Sequence, residues 1–135
     1  RYDGASKPHA NVAQALLDWE QQGGEVLALC PEELGDLGTP RPPCELKGGD
    51  GRQFWQGEAQ VCGTEDGINR STAFQTGATK ALALAKDCQR AILKARSPSC
   101  GCGQTWIDGT LQDGDGIFAA RLRELGVQLN TEETL

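Results

Sequence analysis

Glu25-Val26-Leu27-Ala28-Leu29-Cys30-Pro31 decides how this chain is read. Val26 to Cys30 are five apolar residues in succession, too few for a helix and without the alternation of a half-exposed strand. Such a run reads as a strand buried on both faces, the situation of a parallel sheet. Pro31, which has no N–H to give to a ladder, ends it. Upstream, Val12, Ala13, Leu16, Leu17 and Trp19 recur at helical spacing over residues 11–22, and Gly23-Gly24 closes that helix. Downstream, residues 31–53 form a long Pro- and Gly-rich loop centred on Thr39-Pro40-Arg41-Pro42-Pro43. Residues 54–70 follow as weak β structure. Phe74, Ala78, Ala81, Leu82, Ala85 and Cys88 fall on one stripe of a helix over 72–88. A second strand is expected at 90–94 and a short hairpin arm at 104–108. A helix over 115–125 comes next, capped by Asp113 or Asp115, and then a last strand at 127–129. The order predicts an α/β domain: three α/β/α layers with a small, mostly parallel, Rossmann-like sheet, spanning residues 1–135 as one unit.

Composition narrows the function. The 135 residues carry 13 Lys and Arg against 19 Asp and Glu, a net charge of −6. No basic face is expected, which argues against polymeric nucleic acid as a partner. The apolar stretches are too short for a membrane span. Eighteen glycines cluster in loops such as Gly48-Gly49-Asp50-Gly51, Gly101-Cys102-Gly103 and Gly114-Asp115-Gly116, where backbone approaches something closely.

The six cysteines, at 30, 44, 62, 88, 100 and 102, contain no C-x-x-C knuckle, so a zinc ribbon is poorly supported. Most read as free thiols in a reducing, cytoplasmic compartment, with Cys44, Cys62 and Cys88 packed as small hydrophobes. Cys30 and Cys100 differ by position. Each follows a strand and is flanked by proline, in Cys30-Pro31-Glu32-Glu33 and Ser97-Pro98-Ser99-Cys100-Gly101. Ligands of open parallel sheets bind outside the carboxyl ends of strands. That rule gathers both cysteines with Glu32, Glu33, Ser97 and Ser99 at one crevice. On spacing alone, two ordinary buried cysteines at strand ends fit equally well.

Arg1-Tyr2-Asp3-Gly4, Cys30-Pro31-Glu32-Glu33-Leu34-Gly35, Thr39-Pro40-Arg41-Pro42-Pro43, Gly48-Gly49-Asp50-Gly51, Ser97-Pro98-Ser99-Cys100-Gly101 and Gly114-Asp115-Gly116 together resemble, in order and over the whole chain, the thiouracil desulfidase family. The resemblance implies a [4Fe-4S] cluster held by three cysteines and removal of sulfur from thiolated uracil or 4-thio-UMP-type substrates. Cys30 and Cys100 match two of the ligands. The family pattern places the third on a strand upstream of Arg1, a strand this chain is expected to lack; Cys102 is weighed as its replacement, and Cys44 is set aside as incidental. Three thiolates leave one iron open to a soft thiocarbonyl sulfur. Glu32, or secondarily Glu33, is the expected general base on a water attacking the ring carbon, and Ser97 relays the proton or orients the water. Arg41, Tyr2, Asp3 and Ser99 are the substrate-contact candidates. Arg41 is a phosphate binder or the partner of a surface carboxylate. Gly114-Asp115-Gly116 is a helix-terminal anion site or a capping turn, and His9 an exposed cap-region residue. The expected partner is a small thiolated pyrimidine, with no membrane, and the expected state is a monomer or homodimer. The competing reading is a non-catalytic nucleotide- or partner-binding α/β domain without a cluster.

Overall fold

The computed structural model describes residues 9–135. Five helices and six strands follow one another: α1 (Ala10–Gln21), α2 (Pro31–Leu34), β1 (Cys44–Lys47), α3 (Gly51–Trp55), β2 (Gln60–Gly63), α4 (Ser71–Ala85), β3 (Arg90–Leu93), β4 (Gln104–Ile107), β5 (Thr110–Asp113), α5 (Ile117–Glu124) and β6 (Gln128–Thr131). The α/β class holds, and α1, α4, β3 and β6 lie where periodicity places them. Among the described residues no helix is long and apolar enough to cross a membrane.

The strands form two sheets, one of four strands in the order β2-β1-β4-β5 and one of two, β3-β6. β3 and β6 run parallel from Arg90 opposite Gln128 to Leu93 opposite Thr131. β1 meets β4 in parallel at Leu46 and Ile107, and the β1–β2 and β4–β5 pairs are antiparallel. Leu46 lies opposite both Val61 and Ile107, so three strands present one row of fully or nearly buried side chains to the core. Phe74, Ala78, Ala81 and Ala85 of α4 join the same core cluster, as do Ile117, Phe118 and Leu122 of α5.

Three expectations are corrected. Residues 25–30 belong to neither sheet, and Val26 and Leu27 are 42% and 51% exposed. An apolar run favours extended backbone locally, but a ladder needs a pairing partner, and none of the described strands pairs with this segment. The loop over 31–53 contains α2 and β1 and the start of α3. That last helix is fixed by a reciprocal capping box between Asp50 and Gln53, and it takes in Phe54 and Trp55, which had read as β. Neither Asp113 nor Asp115 caps α5: Gly116 is its N-cap, without a side-chain bond. Pro98 and Ser99 supply the acceptors instead, their carbonyls taking the N–H groups of Ile117 (2.8 Å), Phe118 (2.8 Å) and Ala119 (3.1 Å).

Two glycines set the position of α2 on α4. A Cβ on Gly77 would lie 1.8 Å from the Pro31 carbonyl oxygen, and one on Gly35 would lie 2.2 Å from the Ala73 carbonyl oxygen. Gly→Ala inside a helix ordinarily stabilises by about 1 kcal/mol. At Gly77 the neighbour is backbone and cannot swing aside, so overpacking of about 1–3 kcal/mol wins. Gly77→Ala is expected to lower the thermal midpoint and displace the Cys30–Glu32 turn; a raised midpoint in a thermal melt would refute this packing.

Candidate active site

Cys30 is the extended N-cap of α2, and its carbonyl accepts the N–H of Leu34 (3.0 Å). Pro31 occupies the first helical position, where a missing N–H costs nothing. Glu32 and Glu33 then fill the first turn, where carboxylates suit the helix dipole. The sequence Cys-Pro-Glu-Glu thereby builds a short rigid elbow that presents a thiol and two carboxylates.

Arg41 closes the elbow from the far side of the loop. Its Nη2 donates to the Cys30 sulfur (3.4 Å) and to Glu32 Oε2 (3.2 Å), and its Nη1 donates to the Gly38 carbonyl (2.9 Å) and the Thr39 hydroxyl (3.1 Å). The Thr39 hydroxyl in turn donates to Glu33 Oε1 (2.6 Å). The two adjacent glutamates therefore meet different partners. The Arg41–Glu32 pair is largely withdrawn from water, with side-chain exposures of 8% and 18%. Burial alone would weaken the Arg41 charge, but Glu32 and then Cys30 outweigh it and raise its pKa above the usual arginine value.

Cys100 enters from the turn after β3. Ser97 Oγ accepts the Cys100 N–H (2.8 Å), the Gly101 N–H bonds the Ser97 carbonyl (2.9 Å), and the Thr105 hydroxyl reaches the same carbonyl (3.1 Å). Burial pushes the Cys100 thiol up to about 12, and the nearby Glu32 and Cys30 charges add to the rise, while the Ser97 hydroxyl opposes it. Two local arrangements therefore stand on geometry: Cys30 and Glu32 joined through Arg41, and Ser97 and Cys100 joined within their own turn.

The remaining candidates separate. Ser99 is 2% exposed and holds the first turn of α5 through its carbonyl. Tyr2 and Asp3 lie outside the described residues. The α5 terminus offers little to an anion, since its first N–H groups are taken, and Asp115 accepts the Gly103 N–H (2.9 Å) while pairing with Arg123 (2.6 Å). Cys102 faces away toward Arg123 (3.3 Å). His9 is exposed and makes no side-chain cap bond.

Cys44 is the residue that sequence reasoning passed over. It opens β1, with Arg70 Nη1 at 3.9 Å from its sulfur. Burial raises its thiol pKa and Arg70 opposes the rise. The one signal in the sequence was its place directly after Pro42-Pro43. All six cysteines are free thiols.

The model of the 2-thiouracil desulfurase family matches residues 1–134. The chain belongs to that family. Among relatives of this desulfurase family member is the uncharacterized protein YbbK of Bacillus subtilis, 38% identical over 140 residues, covering all of this chain and 89% of YbbK. A solved structure, titled a [4Fe-4S]-dependent thiouracil desulfidase, TudS, superposes with a TM-score of 0.76 at 36% identity. The match covers all of this chain and 83% of that one. The resemblance carried by the six motifs is thus confirmed at the level of family and fold.

Proposed function

We propose that this chain is a desulfidase that removes sulfur hydrolytically from thiolated uracil or 4-thio-UMP-type compounds, with Cys30 and Cys100 as two ligands of a [4Fe-4S] cluster. The observation that carries the reading is a guanidinium that donates to both the Cys30 sulfur and the Glu32 carboxylate, in a chain of the 2-thiouracil desulfurase family. The donor set fits the cluster as far as it goes: soft sulfur donors are what iron–sulfur centres take. Among the described residues no group of three His, Cys, Asp or Glu side chains is gathered for a metal; Cys30 and Cys100 are assigned as two ligands on the family pattern. The cluster, when bound, would supply a Lewis acid for the thiocarbonyl sulfur.

The chain's own residues do the rest. Glu32 accepts the proton of the water that attacks the ring carbon. Ser97, fixed by the Cys100 N–H, orients that water or passes the proton on. Arg41 borders a shallow depression shared with Pro40, Pro42 and Glu65, where an anionic group of the substrate meets it. Ser99 supports the wall of the crevice through its backbone, and Tyr2 and Asp3 are assigned to the same contact surface on the resemblance alone.

Anaerobic purification tests the whole reading. The protein is expected to show the broad visible absorbance of an iron–sulfur centre and to release sulfide from 4-thio-UMP or 2-thiouracil. A cluster-loaded protein that leaves both compounds intact sinks the substrate assignment. A protein that takes up no iron leaves the cluster-free binding domain as the better account.

A further inference from the structure

We propose that Arg41 is a positioning residue of the reaction, its guanidinium holding the Cys30 sulfur and the Glu32 carboxylate in one fixed relation. The inference rests on the cluster reading above and deepens it.

Three observations carry it. First, a single nitrogen, Nη2, reaches both groups, at 3.4 Å from the Cys30 sulfur and 3.2 Å from Glu32 Oε2. Second, Nη1 is itself anchored, to the Gly38 carbonyl at 2.9 Å and to Thr39 at 3.1 Å. A guanidinium is planar, so fixing one nitrogen fixes the direction of the other. Third, the side chain is only 8% exposed, so water does not readily take over these bonds. The loop over 38–41 thereby dictates where the ligand sulfur and the base stand relative to each other.

The chemistry follows from the same contacts. An N–H donor on a cluster-ligating sulfur draws charge from the thiolate, and hydrogen bonds to the sulfurs are among the factors that set the reduction potential of such a centre. The positive charge also offsets the repulsion between a Cys30 thiolate and the Glu32 carboxylate. A lysine keeps the charge but has a flexible stem and a point-like head, and it cannot reproduce the anchored fork.

The test compares wild type, Arg41→Lys and Thr39→Val, each as the full chain reconstituted with iron and sulfide under anaerobic conditions. Iron content, midpoint potential, kcat and KM are measured on 2-thiouracil, which has no phosphate, and on 4-thio-UMP. Arg41→Lys is expected to lower the midpoint potential and to cost about 10–100-fold in cluster retention or kcat on both substrates. Thr39→Val, which removes only the anchor, is expected to move the same quantities in the same direction by less. An unchanged potential together with a KM raised for 4-thio-UMP alone would overturn the inference and leave Arg41 as a phosphate contact only. A loaded, active wild type with both variants indistinguishable from it also overturns the inference while leaving the desulfidase reading intact. A wild type that takes up no cluster removes the reading and the inference with it. Should Arg41→Lys fail to fold by circular dichroism, Thr39→Val alone decides between these results.

Discussion

Cys100→Ser is expected to abolish the visible iron–sulfur absorbance and turnover together, while the cluster-free protein still folds. The turn that carries Cys100 is held by backbone and by Ser97: the Gly101 N–H on the Ser97 carbonyl, the Cys100 N–H on Ser97 Oγ, and the Pro98 and Ser99 carbonyls on the first turn of α5. None of these bonds uses the thiol. Placing a hydroxyl where the sulfur was costs about 1–3 kcal/mol in burying a polar group, against a total stability of about 5–15 kcal/mol for a domain, so the apo fold survives. The cluster does not, because a hard, weakly acidic hydroxyl replaces a soft thiolate donor. Circular dichroism of the apo variant and absorbance of the reconstituted one separate the two effects. Cys102→Ser is the control: its sulfur sits on Arg123 rather than on Glu32, and absorbance and turnover are expected to stay at wild-type levels. Full absorbance in Cys100→Ser, or its loss in Cys102→Ser, would reverse the ligand assignment.

What could be read from the sequence was local or positional. The α4 stripe was legible because Phe74, Ala78, Ala81 and Ala85 repeat at helical spacing and all four are buried. Cys30 beside Glu32, and Ser97 beside Cys100, were legible because each pair stands within one short Pro-containing motif. Pairing was not legible. The run over 25–30 looks like β3 in composition, yet β3 has β6 beside it and this segment has no ladder among the described residues. The direction of Arg41 was hidden as well. An arginine between prolines in a glycine-bordered loop reads as a phosphate binder or the partner of a surface carboxylate, and only the fold shows its fork turned onto Cys30 and Glu32. The Gly114-Asp115-Gly116 turn failed as an anion site for a similar reason. Its helix N–H groups are taken by the carbonyls of Pro98 and Ser99, far upstream in the chain, a relation that no local pattern encodes.

Glu32→Gln is the second large effect, and it separates the base from the scaffold. Glutamine keeps the size of the side chain and an oxygen that can still accept from Arg41 Nη2, now 3.2 Å from Glu32 Oε2. It loses the ability to take a proton. Removal of a general base costs on the order of 10²–10⁴ in rate, so kcat is expected to fall by that factor. Absorbance should be unchanged, because glutamate is not a ligand. Glu33→Gln supplies the internal comparison. Glu33 stands in the same helical turn but accepts from Thr39 (2.6 Å) rather than from Arg41, so its neutralisation disturbs the loop without touching the base, and a loss of only a few-fold is expected. Equal and large losses in both variants point to a collapsed 38–41 loop instead of lost proton transfer, which the absorbance and a thermal melt then expose. A Glu32→Gln enzyme that turns over at the wild-type rate removes Glu32 as the base. Ser97, fixed beside Cys100 by its bond to the Cys100 N–H, is then the next group to replace.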